Sequence, residues 1–354
     1  MNNSTLRYSS EALERYSRAL LIEAGVEQDI ASVVANILVE GDLLGHTTHG
    51  MAQLTAYLDN LTQGKMAPTG TYTVVSERPA VITWDGNWLP GPWLTWNACQ
   101  EARKRALTYG TGTVVIRRSH HIACLAAYLE PLAAEGLMCI IQSADPSVRA
   151  VAAHGGTRPV LTPNPIAVGI PTRSDPILID VSMSIGTVGM ARRLISLGER
   201  TTYPWLLDGQ GSPTDDPTVL DADPRGSLML LGGVESGHKG FGLALMVEAM
   251  TSALAGHGRA DQPTNWGASV FVQVLDPAAF GGTEAYLREM TYIADDCRAG
   301  PHRDDNNPTR MPGSAGLARK RYALEHGIEL HPTIMPSLSM WSERLNVEPP
   351  QPNA

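Results

Sequence analysis

Residues 113–143 read TVVIRRSHHIACLAAYLEPLAAEGLMCIIQS, and the order of patterns in this stretch decides the fold class. A β-branched run gives way to a short polar turn with two adjacent histidines, then an apolar helical segment, then a second β-rich run. Working outward, further β-rich runs appear at TYTVVS, AVITW, PILIDV and SVFVQVL, with helices predicted at roughly 92–108, 122–135, 184–198 and 241–255. The spacing is too irregular for a repeating βαβ array. It predicts an α/β (α+β) protein with a mixed, largely antiparallel sheet flanked by helices.

Upstream, the first 65 residues read as three helices. Ser10 is placed as the N-cap of the first, which carries Leu13, Tyr16 and Leu20 and stops at Gly25. A second runs from about Asp29 with Ile30, Val34, Ile37 and Leu38 on one face, and a third carries Leu54, Tyr57, Leu58 and Leu61 to Gly64. Downstream, residues 299–316 form a polar loop, followed by a helix at 315–326 and a Pro-rich tail, VEPPQPNA, expected to fray. The predicted organisation is a helical N-terminal subdomain (1–70), a central domain (71–298) and a C-terminal loop, helix and tail (299–354) packing on the first.

Composition narrows the function classes. The 354 residues carry 27 basic and 36 acidic side chains, a net charge of −9, with 43% hydrophobic residues. Without a Lys/Arg run there is no electrostatic footprint for nucleic acid or anionic lipid. No apolar run reaches a membrane span, and the N-terminus lacks a signal-peptide pattern. Four unpatterned cysteines make no disulfide framework, so a cytoplasmic setting is expected. Gly and Pro are abundant, at 34 and 25, which marks a loop-rich chain.

The motifs exclude as much as they indicate. No GxGxxG joins an early strand to a helix; YGTGTVV at 109–115 places its glycines before a strand and reads as a turn. The segment GGVESGHKGFG (232–242) departs from a P-loop at His238 and Gly240, leaving a Gly-rich turn with Lys239 that opens onto the apolar helix FGLALMVEAM, where an anion could sit. GDLLGHTTHGMAQL (41–54) puts His46 and His49 three apart around Thr47 and Thr48 at a helix start. These side chains either hold a substrate or simply cap the helix. His120 and His121 stand between a strand end and a helix start, where a histidine can exchange a proton, and adjacent positions on one turn cannot both face one site. His46, His49, His120, His121 and Cys124 are possible metal donors, but no HExxH or carboxylate cluster accompanies them, and no metal is expected. No GxSxG marks a serine hydrolase.

Together GDLLGHTTHG, SHHIA (119–123), TPNPIAVGIP (162–171), LIDVSMS (178–184), WLLDGQGSPTDDP (205–217), GHKGFGLALMVE (237–248) and RMPGSAG (310–316) resemble the type 2 malate/L-lactate dehydrogenase family, over nearly the whole chain. The resemblance implies a non-Rossmann, NAD- or NADP-dependent oxidoreductase, usually a homodimer, acting on 2-oxo or 2-hydroxy acids or on cyclic imines. It implies His121 as proton donor and acceptor, with Thr48 and His49 beside the substrate and His46, Gln53 and His120 around it. For the cofactor it implies Asp180, Val181 and Ser182, Asn164 and Pro165, Lys239 and Gly240, and Met311, Pro312 and Gly313, with Ser143 or Asp145 towards the nicotinamide. The departures bear on substrate. Gln53 replaces the family's carboxylate-gripping arginine, Leu44 another arginine, Thr47 an acid, Met190 a lysine and Ala123 a glycine. Arg192 and Arg193 are candidates for a 2′-phosphate. A cofactor-binding homologue with altered or lost activity is the alternative reading.

Overall fold

The computed structural model describes residues 6–304 and 306–353. Residues 1–5 of the N-terminal segment, residue 305 of the polar loop and residue 354 of the tail lie outside the described residues. The main sheet has seven strands in the spatial order 73–78, 81–85, 111–119, 268–275, 138–144, 166–170, 177–181. Only the pairing of Val81–Asp85 with Thr111–Ser119 is parallel; the other five are antiparallel. This is the mixed, largely antiparallel sheet that the spacing predicted. A second, five-stranded sheet of short strands, Pro213–Thr214, Leu206–Leu207, Ser227–Leu228, Val151–Ala152 and Pro159–Leu161, was not foreseen. Its strands are two or three residues long, below what periodicity resolves.

Two apolar cores follow. One joins the N-terminal helices to the main sheet and the C-terminal helices, through Leu13, Leu38, Tyr57, Val114, Val270 and Trp341. The other lies under the small sheet, around Val151, Met183, Trp205 and Ala244.

Three local departures have physical causes. Ser9, not Ser10, caps the first helix, Ser10–Glu23, accepting the Ala12 N–H at 3.1 Å. The helix expected at 122–135 shrinks to a 3-10 turn, Leu125–Tyr128, and the short helix Leu129–Ala134. Ala123 has φ +59, which no right-handed helix includes, and Pro131 fits only a first turn. The helix expected at 241–255 begins at Gly233, after Gly232 at φ +99, and runs to Glu248 before a π turn, Ala249–Ala253. Lys239 and Gly240 therefore lie inside a helix rather than at its amino end.

Two helices went unpredicted. Thr283–Ala299 buries only Ala294 and so carries little apolar signal. Ile334–Leu345 packs on the Leu54–Thr62 and Ser10–Glu23 helices after the strand Ile328–Glu329, which pairs with Arg7–Tyr8. The tail does not fray: the Asn353 N–H reaches the Arg7 carbonyl at 2.7 Å.

Candidate active site

The central strand Thr111–Ser119 ends at the two histidines. The His120 N–H donates to the Leu89 carbonyl at 3.1 Å, tying the turn to the start of the Gly91–Tyr109 helix. A side chain at Gly91 would run into the carbonyl oxygens of His120 and His121, so only glycine lets that helix approach the turn so closely. Opposite stands the 46–50 turn, closed by His46 N–H to Gly41 and His49 N–H to His46, both at 2.8 Å. Thr48 does not cap the following helix; its hydroxyl meets His49 Nδ1 at 2.9 Å. Beneath, the buried Asp42 accepts the Met51 N–H at 2.6 Å.

The fold brings the two turns together. The rings of His49 and His121 lie 5.7 Å apart and nearly parallel, and Trp266 stacks against His121 at 4.7 Å. Tyr57, from the Leu54–Thr62 helix, places its hydroxyl 3.0 Å from His121 Nδ1 and 3.1 Å from the His121 carbonyl. The hydroxyl proton goes to the carbonyl, so the tyrosine oxygen can accept Nδ1–H, and Nε2 is left to exchange a proton. The Ala123 N–H reaches the same Nδ1 at 3.3 Å and serves the other tautomer.

His120 has a different character. It is fully buried, edge-on to Tyr57 and Trp266, with neither ring nitrogen hydrogen-bonded. Burial pushes it down to about 3. Burial, then the neighbouring His46, brings His49 down to about 4; burial, then His49 and His120, holds His121 well below the ordinary histidine range. All three rings are neutral at pH 7.

Tyr57 and Trp266 were missed as site residues. Tyr57 was read only as part of an apolar helix face, and its polar tip was the available signal. Trp266 lies in a polar stretch, DQPTNWG, with no periodicity to flag it.

The Gln53 amide is engaged locally, donating to the Thr48 carbonyl at 2.6 Å. A cation reaches this turn from elsewhere. Arg193 donates to the Thr47 hydroxyl and carbonyl at 3.0 and 3.1 Å, while Arg192 pairs with Asp221 at the surface.

The predicted cofactor residues fall into three groups. Asp180 and Val181 end the Ile177–Val181 strand and Ser182 follows it, and Met311, Pro312 and Gly313 are laid against that strand by Leu178 N–H to the Pro312 carbonyl at 3.1 Å. A Cβ on Gly313 would stand 2.7 Å from the Leu178 Cβ, so glycine permits this approach. Val181 is 43% exposed at the junction.

The second group is a clasp. The Ser143 N–H donates to the Pro165 carbonyl at 3.2 Å, and Asn164 donates to the Ala244 carbonyl and to Glu248 at 3.0 and 3.1 Å. Asp145 accepts from Ser147 and, at 3.2 Å, from the Gly267 N–H beside Trp266. Arg259 closes the set on Glu248 and on the Val148 and Asp145 carbonyls at 2.8, 2.7 and 3.0 Å. In the third group, Lys239 is exposed and Gly240 packs on Leu231.

His46, Cys124 and Asp180 place donor atoms within 4.8 Å of one another. Asp180 already accepts the Ala126 N–H at 2.9 Å, with the Cys124 thiol at 3.8 Å.

Among the described residues no helix is long and apolar enough to cross a membrane. The malate/L-lactate dehydrogenase family model matches residues 8–339. The chain is 28% identical to hydroxycarboxylate dehydrogenase B of Escherichia coli O157:H7, over 92% of this chain and 90% of that protein. It is 34% identical to a (2R)-3-sulfolactate dehydrogenase (NADP(+)) of Chromohalobacter salexigens, over 69% and 70%. The malate dehydrogenase structure from Entamoeba histolytica superposes with a TM-score of 0.92 at 24% identity, over 98% and 99%, which speaks for the fold. With this architecture and with matches spanning the chain, the protein belongs to the malate/L-lactate dehydrogenase family and is a dehydrogenase or reductase.

Proposed function

We propose that the chain transfers a hydride between a nicotinamide cofactor, NAD or NADP, and a 2-oxo or 2-hydroxy acid or related carbonyl, with His121 exchanging the proton. The observation that carries this reading is the His121 ring held between His49 and Trp266, with Nδ1 engaged by Tyr57. The cofactor supplies the hydride chemistry when bound. The juxtaposed 180–182 and 311–313 segments fit it, an exposed strand end beside a glycine loop that packs closely against the same strand. His121 Nε2 gives a proton to the substrate oxygen in reduction and takes it in oxidation, while Nδ1–H rests on Tyr57. Thr48 and His49 hydrogen-bond the substrate beside it. The buried aromatic surround excludes water and strengthens each of these polar contacts.

Neutral His121 is ready as a base, so oxidation of a hydroxy acid should be nearly flat between pH 6 and 8. Reduction needs the protonated ring and should slow as pH rises, since burial keeps that form scarce.

The homodimer belongs to the same proposal, supported by exposed Val234, Leu243, Leu245 and Met246 on one helix. A reducing compartment is supported by four cysteines that are all free. The experiment is loss of 340 nm absorbance from NADH and NADPH against a panel of 2-oxo acids, neutral carbonyls and cyclic imines. Turnover on 2-oxo acids is expected. Turnover on imines alone would reassign the chain as an imine reductase, and tight cofactor binding without turnover on the whole panel would make it an inactive homologue.

A further inference from the structure

Three donor side chains from three separate segments converge beside the histidine turns. His46, Cys124 and Asp180 bring a ring nitrogen, a thiol and a carboxylate oxygen within 4.8 Å of one another. Cys124 follows the 119–123 turn and is buried, while His46, opening the 46–50 turn, and Asp180, near the end of the Ile177–Val181 strand, are half-buried. The first two segments meet over Gly41 of the Gln28–Leu43 helix, where a Cβ would stand 3.3 Å from the Cys124 Cβ and from the His49 carbonyl oxygen.

Each donor keeps capacity for a ligand. The Cys124 thiol donates to Asp180 Oδ2 at 3.8 Å, and the same oxygen accepts the Ala126 N–H at 2.9 Å, which leaves Oδ1 unpartnered among the described residues. His46 closes its turn through the backbone, and its ring has no hydrogen-bond partner among the described residues. Burial, then the Asp180 charge, holds the thiol well above its ordinary range, so it stays protonated until a cation takes the proton's place.

One nitrogen, one sulfur and one oxygen make a donor set for a borderline divalent cation. Four-coordinate zinc, about 2.0–2.3 Å from its ligands, keeps neighbouring donor atoms roughly 3.3–3.7 Å apart. The Cys124 and Asp180 donors are already at 3.8 Å, and the His46 ring need move by only about 1 Å to join them. Magnesium and calcium, which take oxygen ligands, find a single carboxylate here.

We propose that His46, Cys124 and Asp180 form a binding site for a borderline divalent cation, zinc above all, and that binding ties the 46–50 turn to the end of the Ile177–Val181 strand and inhibits the enzyme. As the sulfur–zinc bond forms, the thiol proton leaves to solvent, with no change of oxidation state. Binding stands apart from the nicotinamide reading. The inhibition rests on that reading, because His46 and Asp180 belong to the substrate and cofactor sets it names.

The test is titration of the reduced, metal-free full-length protein with cobalt(II), followed by displacement with zinc. One equivalent should bind and give a near-ultraviolet thiolate-to-cobalt charge-transfer band with the visible bands of four-coordinate cobalt, all lost on adding zinc. Cys124→Ala should abolish the charge-transfer band and weaken zinc binding by at least about a hundredfold, and His46→Gln should weaken zinc binding by a similar factor. Cys297→Ala, which removes the exposed thiol, should change nothing, and melting curves check that each variant folds. Zinc at one equivalent should slow wild-type turnover at least about tenfold and spare Cys124→Ala. No charge-transfer band in the wild type, its persistence in Cys124→Ala, its loss in Cys297→Ala, or magnesium binding as tightly as zinc would overturn the site. Zinc bound with turnover undiminished would overturn the inhibition. A metal-free enzyme that turns over no substrate marks failure of the nicotinamide reading, and the cobalt titration still decides the site.

Discussion

The histidine turns and the clasp around Asn164 treat polar groups in opposite ways. In the clasp, Asn164, Glu248, Arg259 and Asp145 answer one another's donors and acceptors. Around the turns, both nitrogens of His120 are unpartnered, and His49 and His121 are forced into the neutral state by burial. One region is saturated, as scaffolding should be; the other holds polar capacity in reserve inside a dry pocket.

The largest stability change should come from breaking the saturated side. Arg259→Ala strands Glu248 and two carbonyls in a mostly buried position and is expected to cost about 3 kcal/mol in urea unfolding. A loss below about 1 kcal/mol would mean that the clasp is not a scaffold.

On the other side, His120→Phe removes two unsatisfied nitrogens and should not destabilise at pH 8. The difference should then grow in acid. The folded histidine titrates at about 3 and the unfolded one near 6.5, so the unfolded state binds the extra proton first and wild-type stability falls below pH 6.5. By pH 5 the variant should have gained about 2 kcal/mol relative to wild type. A pH-independent difference would contradict the neutral, unpartnered ring.

The smallest effect concerns Ala123, at φ +59 next to His121 Nδ1. Ala123→Gly should relieve strain, so that Tm rises by the equivalent of about 1 kcal/mol or stays level, never falling by that amount.

Much of this was legible in the sequence, for reasons that differ by region. The long strands and the N-terminal helices carry strong periodic signals, and the histidine turns are flanked by them. The joint occurrence of unusual loop motifs pointed to the family when propensity alone could not. The rest depends on packing. Tyr57 reaches His121 across 64 positions, and Arg193 reaches Thr47 across 146; no local pattern reports such approaches. The start of the 233–248 helix turned on Gly232 at φ +99, a backbone state that glycine permits but does not announce.

The central claim is that the reserve of polar capacity serves proton exchange at His121. The direct measurement compares cofactor affinity and turnover for His121→Ala, with His49→Ala and His120→Ala alongside. The account predicts a turnover loss of about 10²–10⁴ in His121→Ala with nicotinamide binding unchanged within about twofold. Unchanged turnover in His121→Ala, or a collapse confined to His49→Ala or His120→Ala, would contradict it.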